Sequence, residues 1–368
     1  MLENKKIAIV YDWIDKWGGV ERVLLMLHEM FPKATFYTSY FNEEKAFWAK
    51  NFKINTSFIQ QLPNFIKNNR LLSLPFYPFA FEQFNFNQYD LVISVTSSFA
   101  KAIITKPSTK HICYLLTPTR FLWSHCKEYG NNDNFYAKYL KNWDKTAAQR
   151  PDKIISISET VKDRCKQYYK RDSDVIYPPF DIDYWNDIKS KIKDQRSKPK
   201  LKTQNYFLVV SRLELYKQID LVVEAFNQLT NQQLVVVGMG SLENRLKDMA
   251  KNSIKFVPYV SDSELASLYS NAKALIMPQE EDFGYVSLEA QFFGCPVISY
   301  KKGGATETIV NNKTGIFFNE QNKQSLRQAL ERYHAISYNL RTSTRKFGIK
   351  NIERFDKAKF VEQFKSFL

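Results

Sequence analysis

Two series of short apolar runs, each run leading into an amphipathic helical stretch, constrain this 368-residue chain more than any other feature. The first series opens with KKIAIVYDW, a continuous apolar run of the kind found in parallel strands covered on both faces. Gly18 and Gly19 follow in a loop. Val20, Val23, Leu24, Leu27 and Phe31 then recur at helical spacing. Strand-like runs return at 89–98, 110–117 and 152–158, the last followed by the helical ETVKDRCKQYYK. VIYPPFD breaks regular structure with two prolines. Residues 186–205 are polar and basic and read as an exposed connection. A second series follows, with strands at 206–213 and 232–238, in IKFVPYV, in KALIMP and in PVISY. Its helices lie at 220–229, in LENRLKDMA, in SDSELASLYSNA, in VSLEAQFFG, and near 323–337 and 356–367.

Alternation in two blocks predicts an α/β protein of two Rossmann-like, parallel-sheet domains facing across a cleft. The expected boundaries are 1–185 for an N-terminal Rossmann-like domain and 186–354 for a C-terminal one. A final helix, 355–368, is expected to cross back to the first domain. Ligands in such folds bind at the carboxyl ends of the strands, where the glycine loops lie.

Hydrophobic residues make up 44% and charged residues 25%, the profile of a globular protein. No apolar run reaches the roughly 18–20 residues that span a bilayer, and the N-terminal run is too short for a signal peptide. The expected location is the cytoplasm, with peripheral attachment to the inner face of the membrane as a further expectation. Cys113, Cys126, Cys165 and Cys295 form no CxxC pair. His28, His111, His125 and His334 show no metal-ligand spacing, so buried free thiols and no metal are expected. The net charge of +15 attracts polyanions: nucleic acid, anionic lipid or a diphosphate substrate. No zinc knuckle, RRM-like motif or helix-turn-helix accompanies it, and nucleic acid is not expected as a partner. Residues 58–86 are crowded with aromatics, prolines and leucines, with Lys67 and Arg70 interspersed. They read either as a lipid-facing surface or as a proline-interrupted helix pair packed on its own domain.

The chemistry concentrates in PQEEDFGYVSLEAQFFGCPVISYKKGGATET, residues 278–308. Glu281 and Glu289 flank a Phe283–Gly284 loop, and Gly284 opens the helix that carries Glu289. Free amides at a helix start, with carboxylates nearby, suit a polyhydroxylated anionic ligand. Upstream, Arg212 stands at a strand end and Lys217 five residues on, and both suit phosphate. Gly238 and Gly240 form a Gly-x-Gly turn suited to nucleotide contact, and Gly303–Gly304 a second glycine turn.

In this order, GGVERVL, VSRLELYKQIDLVVEAF, VVGMGS, FVPYVSDSELASLYSNAKALIMP, EEDFGYVSLEAQFFGCPVIS and GGATETI resemble the retaining glycosyltransferases of family 4, which have the GT-B fold. The match covers nearly the whole chain. YDLVISVTSSFAKAI, CYLLTPTRFLW and VIYPPFD resemble a bacterial subgroup that includes mannosyltransferases of O-antigen and capsule assembly.

The resemblance implies a metal-independent hexosyltransferase acting with retention in surface polysaccharide synthesis. It implies no cofactor beyond a sugar nucleotide as co-substrate. GDP-mannose ranks ahead of a UDP- or dTDP-sugar, and a glycan or polyprenyl-diphosphate-linked acceptor is implied. Arg212 and Lys217 would hold the donor diphosphate, Glu289 the ribose and Glu281 the transferred sugar. The backbone at Phe283, Gly284 and Tyr285 would orient that sugar. Gly18 and Gly19 would approach the donor phosphates, and Asp12 and Arg120 would face the acceptor. Two positions depart from the pattern: Leu116 stands where a His is usual, and Met239 where Asp is more frequent. A non-catalytic sugar-nucleotide-binding protein is the alternative class.

Overall fold

The structure is a computed structural model that describes residues 5–124, 126, 135–194, 205–229 and 231–368. His125 and residues 195–204 of the polar connection lie outside them. The chain forms two compact units: Met1–Pro179 with Val361–Leu368, and Phe180–Phe360.

The first unit contains a seven-stranded sheet whose strands are β1 (Ile7–Tyr11), β2 (Thr35–Thr38), β3 (Lys53–Thr56), β4 (Leu91–Thr96), β5 (Lys110–Leu115), β6 (Lys153–Ser156) and β7 (Asp174–Val175). Their order is β3-β2-β1-β4-β5-β6-β7, parallel throughout. The chain doubles back between β1 and β4, the crevice at which such sheets receive ligands. All five residues of β1 and all six of β4 are buried, as in parallel strands covered on both faces. The helix Gly19–Met30 turns Val23, Leu24, Met26 and Leu27 inward.

His111 begins the buried part of β5, with Nε2 hydrogen-bonded to Ser94 Oγ at 2.8 Å. Burial, helped by Arg150 and Arg171, pushes its pKa down from 6.5 to about 3. Above pH 6.5 the ring is neutral in both states and pH has no leverage through it. Between 6.5 and 3 the unfolded chain binds a proton that the folded chain refuses. Stability therefore falls with pH, by up to about 1.4 kcal/mol per unit. Acidification from pH 7 to 5 is expected to lower the thermal midpoint of the wild type more than that of His111→Gln. Equal drops in the two proteins rule out this origin of acid sensitivity.

The second unit repeats the winding with β8 (Tyr206–Val210), β9 (Gln233–Val237), β10 (Ile254–Val257), β11 (Leu275–Met277), β12 (Val297–Tyr300) and β13 (Gly315–Phe318). The order is β10-β9-β8-β11-β12-β13, again all parallel, with the switch point between β8 and β11. The α/β class with two parallel sheets is as the alternation predicts. Ser261 and Glu264 form a reciprocal capping box at the start of the helix Asp262–Asn271, a signature visible in SDSE.

Three readings change in detail. The helix expected near 323–337 continues as one element, Lys323–Ile352. The connection expected from 186 begins inside a helix, Ile182–Asp194, in which Trp185 and Ile188 are buried. Cys113, Cys165 and Cys295 are buried free thiols, whereas Cys126 is half-buried.

Segment 58–86 packs on its own unit, as the second of its two readings has it. Short helices at Asn64–Lys67, Arg70–Ser73 and Tyr77–Glu82 bury Tyr77, Ala80 and Phe81 in the core of their own unit. The same helices expose Phe65, Leu71, Leu72 and Phe79, each at least half accessible.

Candidate functional site

In the second unit, four expected site segments meet at the carboxyl ends of β8, β9 and β11. β8 ends at Val210, so Arg212 and Lys217 stand just beyond it, on either side of Tyr216. Lys217 Nζ lies 5.1 Å from the Tyr216 ring and the Arg212 guanidinium 5.7 Å. Arg212 also donates to the Tyr216 hydroxyl. Beyond β11, Glu281 comes back to Lys217, with Nζ 2.6 Å from Oε1. Lys217 is buried, and Gln279 Nε2 adds a second donor to the same oxygen at 2.8 Å. A carboxylate this enclosed needs such partners, since an uncompensated charge there is costly.

Gly284 then turns the chain with φ 94° and caps the helix Tyr285–Phe292, with no side chain capping its start. Glu289, one turn further, is buried and accepts from the Tyr269 hydroxyl at 2.9 Å. Phe283 is buried against Tyr285 and Phe355.

Glycines hold these loops through direct backbone approach. A Cβ on Gly238 would stand 1.9 Å from Ser211 O, and one on Gly240 would stand 2.4 Å from Leu213 O. The turn thus rests on the backbone that carries Arg212, while Met239 between the two glycines is exposed. In the same way, Gly304 N donates to Glu281 O at 2.7 Å, and a Cβ there would stand 2.5 Å from Phe283 Cα. The glycine turn at 303–304 was singled out in the sequence; its contact with the Glu281 loop was not legible there.

In the first unit, Asp12 follows β1 and is fully buried. Its carboxylate bridges the switch point to the end of β4. Oδ1 accepts from Thr96 Oγ1, Phe99 N and Ala100 N at 2.9, 2.7 and 2.7 Å. Oδ2 accepts from Ser97 N at 2.7 Å and Ser97 Oγ at 3.3 Å. Asp12 therefore acts on the 96–100 loop, and any effect on a ligand passes through that loop. Gly18 caps the helix whose first residue is Gly19. Leu116 follows β5 directly, half-buried, its amide donating to Thr96 O at 2.8 Å.

Arg120 is half-buried beside a group that sequence reading missed. Asp144, from the helix Phe135–Ala147, accepts from Lys101 Nζ at 2.6 Å and Thr119 Oγ1 at 2.8 Å. It also accepts from Trp123 Nε1 at 2.7 Å and Tyr169 Oη at 2.8 Å. This network and Asp12 hold the two ends of the 96–101 loop. Among the described residues no three His, Cys, Asp or Glu side chains converge to hold a metal.

Residues 17–184 match the model of Glycosyltransferase Family 4, and residues 190–351 that of Glycosyl transferases group 1. An uncharacterized glycosyltransferase of Methanocaldococcus jannaschii is 26% identical over 241 residues, covering 61% of either chain. The alpha-1,3/1,6-mannosyltransferase ALG2 of Homo sapiens is 31% identical over 196 residues, covering 47% of this chain and 46% of that protein. The chain spans about half the length of these curated relatives. The Anabaena protein HepE, solved in complex with UDP, shares the fold over 98% of either chain, with a TM-score of 0.70 at 18% identity. Two doubly wound sheets and two adjoining family matches support a protein of the GT-B glycosyltransferase type. Within that type the chain is glycosyltransferase family 4-like.

Proposed function

We propose that the protein is a retaining glycosyltransferase that moves a hexose from a sugar nucleotide to a glycan or lipid-linked acceptor in surface polysaccharide synthesis. The second unit takes the donor and the first the acceptor. The observation that carries this reading is the Lys217–Glu281 pair at the β8/β11 switch point, beside Arg212 and one short helix from Glu289. Arg212 and Lys217 bind the diphosphate and stabilise the charge that develops on it as the glycosidic bond breaks, a task that needs no metal. Glu289 accepts from the ribose and Glu281 from the transferred sugar. The loop 283–285 sets the sugar's orientation. The leaving phosphate then assists deprotonation of the acceptor hydroxyl on the same face, which gives retention. Asp12 shapes the acceptor side through the 96–100 loop, with Arg120 beside it.

GDP-mannose is the donor proposed first. The likeness to a protein named as a mannosyltransferase supports it. The UDP complex of the fold neighbour HepE keeps a UDP-sugar as the competing choice, and so does Leu116 in place of the usual His. Thermal shift with GDP-mannose, UDP-glucose and a dTDP-sugar separates them. A ligand at a hundred times its Kd stabilises by about 2.7 kcal/mol. The true donor is expected to raise the midpoint of the wild type, and Glu289→Gln to weaken that donor's binding about tenfold. Stabilisation by none of these, together with no sugar transfer and no donor hydrolysis, overturns the enzyme reading.

A further inference from the structure

Beyond the carboxyl ends of β1 and β2, the first unit holds a cleft of about 180 Å³ that none of the roles above uses. Its walls bring Lys45, Lys67 and Arg70 together against a single carboxylate, Asp15, with Trp13 and Asn42 beside them. These residues come from three separate places in the sequence. Trp13 and Asp15 lie on an extension of β1 that pairs with the extension of β2: Ile14 N donates to Tyr40 O at 2.9 Å, and Asn42 N to Ile14 O at 2.8 Å. Lys67 ends the helix Asn64–Lys67, and Arg70 opens the helix Arg70–Ser73, which Asn69 caps.

The walls are fixed before any ligand arrives. Arg70 is held by Asp15 at 2.8 Å and lies over the Trp13 ring, 4.0 Å from its centroid. Tyr40 Oη donates to Asn68 Oδ1 at 2.9 Å and receives Asn42 Nδ2 at 3.2 Å. Asp15 compensates Arg70 alone. Among the described residues neither Lys45 nor Lys67 pairs with a carboxylate; Lys67 Nζ donates to the Gln60 carbonyl at 3.2 Å and lies 6.0 Å from the Tyr40 ring centroid. The lining thus carries three cations against one anion. A fixed guanidinium and two ammonium groups without a carboxylate partner match the charge of a phosphate dianion, which accepts several charge-assisted hydrogen bonds.

We infer that this cleft binds a phosphate ester. As the acceptor's phosphate subsite, it rests on the glycosyltransferase reading; as an anion site, it stands without it. Phe65 and Leu71 are exposed on the two helices that supply Lys67 and Arg70, which places apolar surface beside the cations. This arrangement favours a phosphate borne on a lipid over a soluble one.

Isothermal titration of the full chain with inorganic diphosphate tests the inference. Two classes of site are expected in the wild type. In the doubly substituted Lys45→Ala/Lys67→Ala protein one class weakens at least tenfold, while Lys217→Ala loses the other. Lys45→Arg/Lys67→Arg is expected to keep both. Both lysines are at least partly exposed, so the alanine variant is expected to fold with a near-wild-type thermal midpoint. A titration identical to wild type in that variant overturns the subsite. If Lys217→Ala alone titrates like wild type, the donor assignment fails and the subsite stands.

The source of the phosphate is separated by phosphatidylcholine vesicles containing phosphatidic acid and by soluble glycerol 3-phosphate. Sedimentation with the vesicles that the alanine variant loses, although most of its +15 charge remains, assigns a lipid-borne ester. Glycerol phosphate binding that the variant loses, without sedimentation, assigns a soluble one. Binding to neither overturns the proposal.

Discussion

Lys217→Ala is expected to lower the rate of sugar transfer by about 10²-fold, with kcat falling more than KM rises. The size follows from the loss of one positioned charge at the atom where negative charge develops, in a site shielded from water. Lys217 is almost fully buried, and its ammonium lies 2.6 Å from Glu281. Its removal leaves Glu281 with Gln279 as the remaining donor to Oε1 described above. On the proposed roles two effects then combine: a weaker hold on the leaving diphosphate, and a carboxylate left without its cation. Steady-state transfer assays with saturating acceptor separate kcat from KM. Turnover within threefold of wild type removes Lys217 from the diphosphate role. Arg212→Ala is expected to act in the same direction and more weakly, because Arg212 is exposed and solvent already screens it.

Asp144→Ala is expected to destabilise the first unit by about 3–5 kcal/mol, the usual cost of removing one member of a buried ion pair. Neither partner has appreciable contact with water: the Lys101 side chain is 1% exposed and that of Asp144 0%. The substitution strands an ammonium in the core and removes the shared acceptor of Thr119, Trp123 and Tyr169. For a unit of this size, each kcal/mol shifts the midpoint by roughly 2–4 °C. A drop of about 6–20 °C is therefore the expected reading. Lys101→Met/Asp144→Leu is expected to recover part of it, since an apolar pair of similar volume avoids the desolvation cost. A midpoint for Asp144→Ala within 2 °C of wild type shows that the network carries no stability.

The two networks differ in how visible they are in the sequence. Glu281, Gly284 and Glu289 lie within nine residues, on one loop and the helix it opens, so a single stretch resembling the family's motif carries all three. Asp144 reaches Lys101, Thr119 and Tyr169 across up to 43 residues, through three elements with no shared motif. Nothing local marks it: in its own helix it is one polar residue among several. The same contrast holds for the fold. β1 and β8 are apolar throughout, β4 is mostly so, and all three announce themselves. β3 is a sheet-edge strand, KINT, whose residues alternate between exposed and half-buried, and no apolar run betrays it.

The helix Lys323–Ile352 was cut short in the sequence because its second half buries an unusual stripe. Leu340, Thr344, Gly348 and Ile352 face inward at intervals of four, but two of them are not apolar. Gly348 is there because a Cβ would stand 2.6 Å from Gln291 O. Glycine inside a helix ordinarily argues against one. Here close packing against the segment after Glu289 overrides propensity.

The contacts at Gly238, Gly240 and Gly304 have a consequence for how such a site can change. Each loop is located by main chain resting on main chain, at places where one added methyl would collide with a carbonyl or an α-carbon. The positions of these loops are thus encoded in missing atoms, and the side chains around them are free of that duty. A substitution at Met239, exposed between Gly238 and Gly240, leaves the frame that positions Arg212 and Glu281 where it is. Redesign of this site can leave the glycines alone and search the neighbours.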